Sequence, residues 1–192
     1  MDTNKISVYC MPGLAASSLI FERIMLPESL FEIHLLDWEL PIGEESLQAY
    51  AQRMSKKITA PNPVLIGVSF GGILVQEMAA FLNPMKVIII SSVKSNVEFP
   101  RRMKIAKTTK AYKLIPTSIF SNIEKLSAFS FGTTIAQRLK LYDMYLSVRD
   151  VHYLDWAIER ILLWDRTQVD SKVVHIHGDA DEVFPIQYIK DC

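Results

Sequence analysis

Short apolar runs that alternate with segments of helical periodicity restrict the fold of this sequence more than any other feature. Four runs in its first half are rich in β-branched or aromatic residues, as strands are, and they cover residues 6–11, 31–36, 64–68 and 87–90. Three segments between them repeat apolar residues at three- and four-residue intervals, as helices do, and they cover residues 18–26, 46–59 and 70–81. Strands that alternate with helices build a parallel sheet flanked by helices, so we predict an α/β fold.

The alternation stops in the middle of the chain and returns near its end. Residues 97–167 are basic and rich in leucine, isoleucine and aromatic residues at helical spacing, which predicts an inserted helical cap. A fifth strand is predicted at residues 173–177, and a helix is expected to begin at residues 186–190. The prediction therefore has three parts: a first part of the core at 1–96, the cap at 97–167 and a second part of the core at 168–192.

Length, charge and cysteine content exclude several classes of protein. The 192 residues suit one domain, and 21 basic residues balance 21 acidic ones, so no overall field attracts nucleic acid or a membrane surface. Cys10 and Cys192 follow no metal-binding spacing, and no apolar run approaches the roughly 20 residues of a membrane helix. We expect a cytoplasmic protein without nucleic-acid or membrane partners, and the oligomeric state stays open.

The segment from Gly67 to Gly72 matches the pattern G-x-S-x-G, with Ser69 at its centre. It lies between the predicted third strand and the next helix, which is the context that a nucleophile elbow requires. Such a turn presents the central hydroxyl at the carboxyl edge of the sheet, beside the positive end of the helix. Ser69 is therefore the candidate nucleophile, and the Phe70 N–H can point at a developing oxyanion. The alternative is a tight turn with an inert serine.

A second oxyanion donor is expected in the loop that follows an earlier strand. Residues 11–17, with the sequence MPGLAAS, occupy that place after the first predicted strand. Gly13 lets the backbone approach a ligand closely, and the Leu14 N–H is the candidate donor. An ordinary strand-to-helix loop is the alternative.

Acidic residues follow the predicted fifth strand, where the sequence reads HGDADE from His177 onward. A carboxylate at the end of a strand can orient an imidazole and stabilise its cationic form. The serine precedes the acid along the chain, which is the order found in enzymes with a nucleophile elbow. The residues alone leave Asp179, Asp181 and Glu182 as candidate acids.

With these segments the chain resembles the alpha/beta-hydrolases, and the resemblance is carried by Pro12-Gly13-Leu14, Gly67-x-Ser69-x-Gly71 and His177-Gly178-x-x-Asp181-x-x-x-Pro185. It spans residues 6–190, and the predicted cap stands where the family has a variable helical insertion. The resemblance implies four site residues, namely Ser69 as nucleophile, Asp181 as triad acid, and Leu14 and Phe70 as oxyanion donors. It also implies hydrolysis of an ester or thioester of a small-molecule acyl substrate through an acyl-enzyme, without metal or organic cofactor. Asp179 and Glu182 fit the family spacing less well.

The resemblance breaks at the catalytic histidine, which the family places after one further strand beyond the acid. Residues 182–192 contain no histidine, and the family's last strand and helix have no counterpart. We therefore expect a chain truncated before the catalytic histidine, with an incomplete core and impaired catalysis. The alternatives are a non-catalytic small-molecule-binding protein on the same scaffold, or a fragment with a compromised fold. His34, His175 and His177 are expected in the sheet, so they are poor substitutes, whereas His152 in the cap could approach the site.

Two other patterns admit a functional interpretation. His175-x-His177-x-Asp179 resembles half of a dinuclear metal site, but Ala180 stands where a further ligand is needed. Residues 100–125 contain seven lysines and arginines against one glutamate, which would attract an anionic substrate or form a solvated helix face.

Three tryptophans, Trp38, Trp156 and Trp164, add bulky apolar surface to the chain. Most of this surface is expected in core or cap packing, and a minority could line an apolar pocket for an acyl group.

Overall fold

The computed structural model describes residues 5–114, 117 and 145–192. Its strands are β1 (Ile6–Met11), β2 (Phe31–Leu35), β3 (Val64–Val68), β4 (Lys86–Ile90) and β5 (Val173–Ile176). Neighbouring strands are parallel and lie in the order β2-β1-β3-β4-β5. The predicted α/β fold is confirmed, and each predicted strand is present with ends that differ by at most one residue.

The α-helices of the described part are α1 (Leu47–Ser55), α2 (Phe70–Met78), α3 (Arg101–Thr109) and α4 (Val151–Leu163). Side-chain caps begin two of them, because Ser46 Oγ accepts the Ala49 N–H and the Asp150 carboxylate accepts the Tyr153 N–H. The first two helices end earlier than predicted, since their last residues turn with 3-10 hydrogen bonds. No helix in the described ranges is long and apolar enough to cross a bilayer.

The helix predicted at residues 18–26 is wrong. Only one 3-10 turn forms there, Ser18–Phe21, and the chain then continues irregularly. Phe21 is buried against the sheet, and Ile20 and Ile24 pack beside it, so these residues reach the core without a helix. A helix of this length is marginal by itself, and tertiary burial decided its form. The helix expected from residue 186 is likewise a single 3-10 turn, Ile186–Tyr188.

Alternate residues of β1, β3 and β4 belong to two different cores. On one face of the sheet, Leu65 and Ile89 are fully buried in a cluster that includes residues of α1, α2 and α4. On the other face, Cys10 and Ile66 pack with the irregular segment after β1. At the β5 edge this second face is open, and Ile176 is 55% exposed. The candidate functional residues lie at the carboxyl ends of the strands.

The predicted cap includes residues 115–116 and 118–144, which lie outside the described residues. The described part of the predicted cap contains α3 and α4, and it is hydrogen-bonded to the loop after β1. Ala16 and Leu146 form an isolated antiparallel bridge, and the Ser147 N–H donates to the Ala15 carbonyl oxygen at 2.9 Å. The division into core and cap remains a prediction.

Candidate active site

Ser69 joins the last residue of β3 to the first residue of α2, and its backbone has φ 52° and ψ −118°. A positive φ in a residue with a side chain costs about 1–3 kcal/mol and persists only where the surroundings enforce it. Two hydrogen bonds do so here. The Ser69 N–H donates to the Ile90 carbonyl oxygen at 2.9 Å, and the Ser92 hydroxyl donates to the Ser69 carbonyl oxygen at 2.7 Å. The half-buried serine therefore stands in a sharp bend at the carboxyl edge of the sheet.

Glycines make room for this bend. A Cβ built on Gly67 would lie 2.3 Å from the Gly71 carbonyl oxygen, and one built on Gly71 would lie 2.3 Å from the Pro12 carbonyl oxygen. A Cβ on Gly72 would lie 2.5 Å from Ser92 Oγ. Such distances are far inside van der Waals contact, so packing requires all three glycines. The pattern G-x-S-x-G does not specify Gly72, and no pattern indicated Ser92.

Two backbone N–H groups beside Ser69 lack an acceptor in the part of the chain that the structure describes. Phe70 is the first residue of α2, where N–H groups have no acceptor within the helix. Neither the Phe70 N–H nor the Leu14 N–H has a hydrogen-bond partner among residues 5–114, 117 and 145–192. The loop that contains Leu14 touches the bend, since a Cβ built on Gly13 would lie 3.5 Å from Ser69 Cβ.

Asp181 lies in the turn after β5, and its side chain is only 12% exposed. Its Oδ1 accepts the N–H groups of Val183 at 2.7 Å and Phe184 at 2.9 Å, which holds the carboxylate in one orientation. Asp179 and Glu182, the other two candidate acids, are both exposed. Because β4 lies between β3 and β5, and neighbouring strands are about 4.8 Å apart, this turn begins about 10 Å from the end of β3.

The basic tract of the sequence reaches this turn through α3. Arg102 donates from its guanidinium to the carbonyl oxygens of Glu182 and Val183, the second at 3.0 Å. Arg101 is also exposed on α3, which has no acidic residue. Positive charge therefore borders the turn that carries Asp181. The last residues of the tract, Glu124 and Lys125, lie outside the described residues.

His175 and His177 bond to each other. His175 Nε2 lies 3.0 Å from His177 Nδ1, and His177 Nε2 lies 2.7 Å from the Phe184 carbonyl oxygen. Since a carbonyl oxygen only accepts, the network assigns the His177 proton to Nε2, and His175 Nε2–H donates to His177 Nδ1. Burial, helped by the neighbouring His177 and Lys94, lowers the pKa of His175 to about 4. In the described ranges no three His, Cys, Asp or Glu side chains gather as a metal site would need.

The other two histidines lie elsewhere. His34 is on β2, at the edge of the sheet, where its ring stacks on Tyr9 with 4.5 Å between centroids. His152 is exposed near the start of α4 and lines a cavity of about 410 Å³ together with Asp155 and Trp156. Ser69 is not among the residues of that cavity. All four histidines are therefore described, and none of them is hydrogen-bonded to the Ser69 hydroxyl.

Comparisons by sequence find nothing, whereas comparisons by structure do. No protein-family model matches the sequence, and no curated protein matches it. A hydrolase from Pseudomonas aeruginosa superposes with a TM-score of 0.65 at 14% identity, over 96% of this chain and 76% of that one. A structure from a study of carboxylesterases of Nitrososphaera gargenis superposes with a TM-score of 0.67 at 16% identity, over 95% and 75%. The chain has the alpha/beta-hydrolase fold.

A third structure with this fold is the RedJ thioesterase of the prodiginine pathway in Streptomyces coelicolor. It superposes with a TM-score of 0.56 at 17% identity, over 96% of this chain and 74% of that one. The likeness to all three extends over nearly the whole described chain. It establishes the alpha/beta-hydrolase fold, whereas the chemistry depends on the residues at the edge of the sheet.

Proposed function

We propose that the chain is a serine hydrolase that acts on a carboxylic ester or thioester of a small-molecule acyl substrate. The observation that carries this proposal is the strained bend at Ser69, beside the N–H groups of Leu14 and Phe70, which have no acceptor within the described residues. Strain of this kind concentrates at functional sites, because the surrounding structure must be built to maintain it. Structural neighbours that are a hydrolase, a carboxylesterase and a thioesterase support the reaction class.

In the proposed reaction, Ser69 Oγ attacks the acyl carbonyl carbon while its proton passes to a base. The carbonyl oxygen becomes an oxyanion, which accepts hydrogen bonds from the Leu14 and Phe70 N–H groups. The bond to the alcohol or thiol then breaks, the leaving group takes up the proton, and the acyl group stays on Ser69. Water hydrolyses this acyl-enzyme by the same route. The reaction needs neither a metal ion nor an organic cofactor.

The described residues provide no base that is hydrogen-bonded to Ser69. Asp181 is suited to orient an imidazole, because its Oδ1 is fixed by two N–H groups, and its Oδ2 lies 3.9 Å from the His177 ring, at Nε2. In the described residues no histidine bonds to Ser69, and a serine without a base is a weak nucleophile at neutral pH. We therefore expect turnover by residues 1–192 to be slower by several powers of ten than in an enzyme with a complete triad.

A fluorophosphonate probe tests the proposal, because it forms a covalent bond with an activated serine. We expect labelling of the wild-type chain, faster in the presence of added imidazole, and no labelling of Ser69→Ala. The matched control is Ser171→Ala, which removes an exposed serine far along the chain from the bend. Peptide mapping then identifies the modified residue. Equal labelling of the wild type and Ser69→Ala, or none of either, would contradict the proposal.

One observation favours a second candidate function, a non-catalytic protein that binds a small acyl ligand. His175 and His177 bond to each other, and His34 stacks on Tyr9, so the partners of these three side chains are groups other than Ser69. A protein of this kind would bind fatty acids or esters in a titration but would resist the probe even with imidazole present. Labelling at Ser69 would exclude this alternative.

A further inference from the structure

The peptide between Gly13 and Leu14 is held from one side by an indole. Trp38 Nε1–H donates to the Gly13 carbonyl oxygen at 2.7 Å, and the Ala16 N–H donates to the same oxygen at 3.0 Å. A trans peptide is planar, so its C=O and N–H point in opposite directions. With the Gly13 oxygen bound to Trp38, the Leu14 N–H must point away from the indole. It has no partner in the described part of the chain.

The next peptide is held by the cap. The Ala15 N–H donates to the Tyr153 hydroxyl oxygen at 3.2 Å, and Ala15 has φ 57°. The bond from Ala16 to Gly13 closes a four-residue turn whose positive φ falls at the third residue, as in a type II turn. That position favours glycine, so an alanine there indicates that surrounding contacts enforce the backbone.

Trp38 also contacts the other candidate donor residue. Its ring stacks on the Phe70 ring with 4.8 Å between centroids and an angle of 9° between planes. Tyr50 and Tyr153 pack around it at 6.0 and 5.6 Å, and Trp38 itself is only 7% exposed. The indole is thus immobilised on three sides. It links the loop after β1 to the first residue of α2.

We propose that Trp38 is the positioning residue of the oxyanion pocket. Its indole N–H orients the Gly13–Leu14 peptide so that the Leu14 N–H is available to the acyl oxygen, and its ring fixes Phe70. Were this peptide to turn over, a carbonyl oxygen would replace the donor and repel the developing negative charge. This inference rests on the proposed function for its chemical consequence, but the orientation of the peptide can be measured without any reaction.

The test compares Trp38→Phe with Trp156→Phe. Both variants remove an indole N–H that donates to a backbone carbonyl, at 2.7 Å to Gly13 and at 2.8 Å to Glu45 respectively, and both leave an aromatic ring in the same cluster. The first measurement is the amide residual dipolar coupling of Leu14, which reports the direction of its N–H bond. We expect this coupling to change in Trp38→Phe and to match the wild type in Trp156→Phe.

The second measurement is the rate constant for labelling of Ser69 by the fluorophosphonate, with imidazole present. Removal of an oxyanion donor slows such reactions by about 100-fold or more, and loss of its positioning should slow labelling by at least about 10-fold. Trp156→Phe should label at the wild-type rate. Tyr153→Phe, which removes only a hydroxyl, is the second variant if Trp38→Phe does not fold. It should change the Ala15 coupling and slow labelling in the same direction.

The outcomes separate this inference from the proposed function. An unchanged Leu14 coupling in Trp38→Phe would overturn the positioning role, whatever the labelling rate. A changed coupling with slower labelling supports it. If the wild type is not labelled at all, the proposed function fails, and the coupling of Leu14 still decides whether Trp38 orients this peptide.

Discussion

The Pro12 carbonyl oxygen leaves no room for a side chain at residue 71, because a Cβ built on Gly71 would lie only 2.3 Å from it. The loop after β1 and the first turn of α2 are therefore in direct backbone contact. This contact brings the loop with Leu14 next to the bend at Ser69. It also makes the geometry of the candidate site sensitive to single atoms added at the glycines.

Gly71→Ala should destabilise the fold. Its methyl group would overlap backbone atoms of β1, which cannot move aside as a flexible side chain can, so we expect a loss of about 3 kcal/mol or more. Gly178→Ala is the matched control, because its Cβ would meet nothing closer than Ser91 Oγ at 3.7 Å. Urea unfolding measures both variants. Similar midpoints for the two would contradict the tight packing at residue 71.

Gly13→Ala should separate folding from chemistry. The added Cβ would lie 3.5 Å from Ser69 Cβ, an ordinary contact, so the free energy of unfolding should change by less than about 1 kcal/mol. The methyl group would nevertheless occupy space beside the serine that an acyl group needs, so labelling by the fluorophosphonate should slow by at least about 10-fold. A melting curve and a labelling time course on the same sample check both statements. A wild-type labelling rate would show that substrate does not approach from the side of Gly13.

The stability of the protein should fall in mild acid because of His175. Burial lowers the pKa of His175 from 6.5 to about 4, so between these values the unfolded chain binds a proton that the folded protein does not. The free energy of unfolding should therefore decrease as pH falls from about 6.5 to about 4, by up to about 3 kcal/mol, and this group adds no dependence above that range.

Urea unfolding from pH 4 to pH 7 measures this dependence in the wild type and in His175→Asn. In the variant, the free energy of unfolding should depend less on pH, by the contribution of about one proton, because asparagine does not titrate. His152→Asn is the matched control, because it makes the same substitution at an exposed histidine. The same pH dependence in the wild type and in His175→Asn would rule out His175 as its source.

The two cysteines should differ sharply in reactivity. Burial raises the pKa of the Cys10 thiol to about 12, and its side chain is fully buried, whereas Cys192 is exposed. Because the thiolate is the reactive form, a chromogenic disulfide reagent should modify one thiol quickly in the native protein and the second only in urea. Cys192→Ser should abolish the fast phase, and Cys10→Ala should retain it. A fast phase that survives in Cys192→Ser would mean that the face around Cys10 opens readily.

Local signals were sufficient for the bend at Ser69. The apolar run of β3, the glycines at 67 and 71, and the helical periodicity that follows all lie within about 15 residues, so their meaning does not depend on the rest of the chain. The same holds for the five strands, whose ends the apolar runs locate to within one residue. The periodicity of residues 18–26 predicted a helix that does not form, because Phe21 and its neighbours are buried against the sheet without one.

The sequence by itself determined the α/β alternation, the place of the serine between strand and helix, and the acidic turn after β5. Only the tertiary structure decided which side chains hydrogen-bond to the backbone around the site. Trp38 bonds to Gly13, Ser92 to Ser69, and His177 to Phe184. Each of these contacts ends on a backbone carbonyl oxygen, and every residue type offers one. No pattern of side chains therefore identifies the acceptor, and the partners meet only when the sheet brings the ends of its strands together.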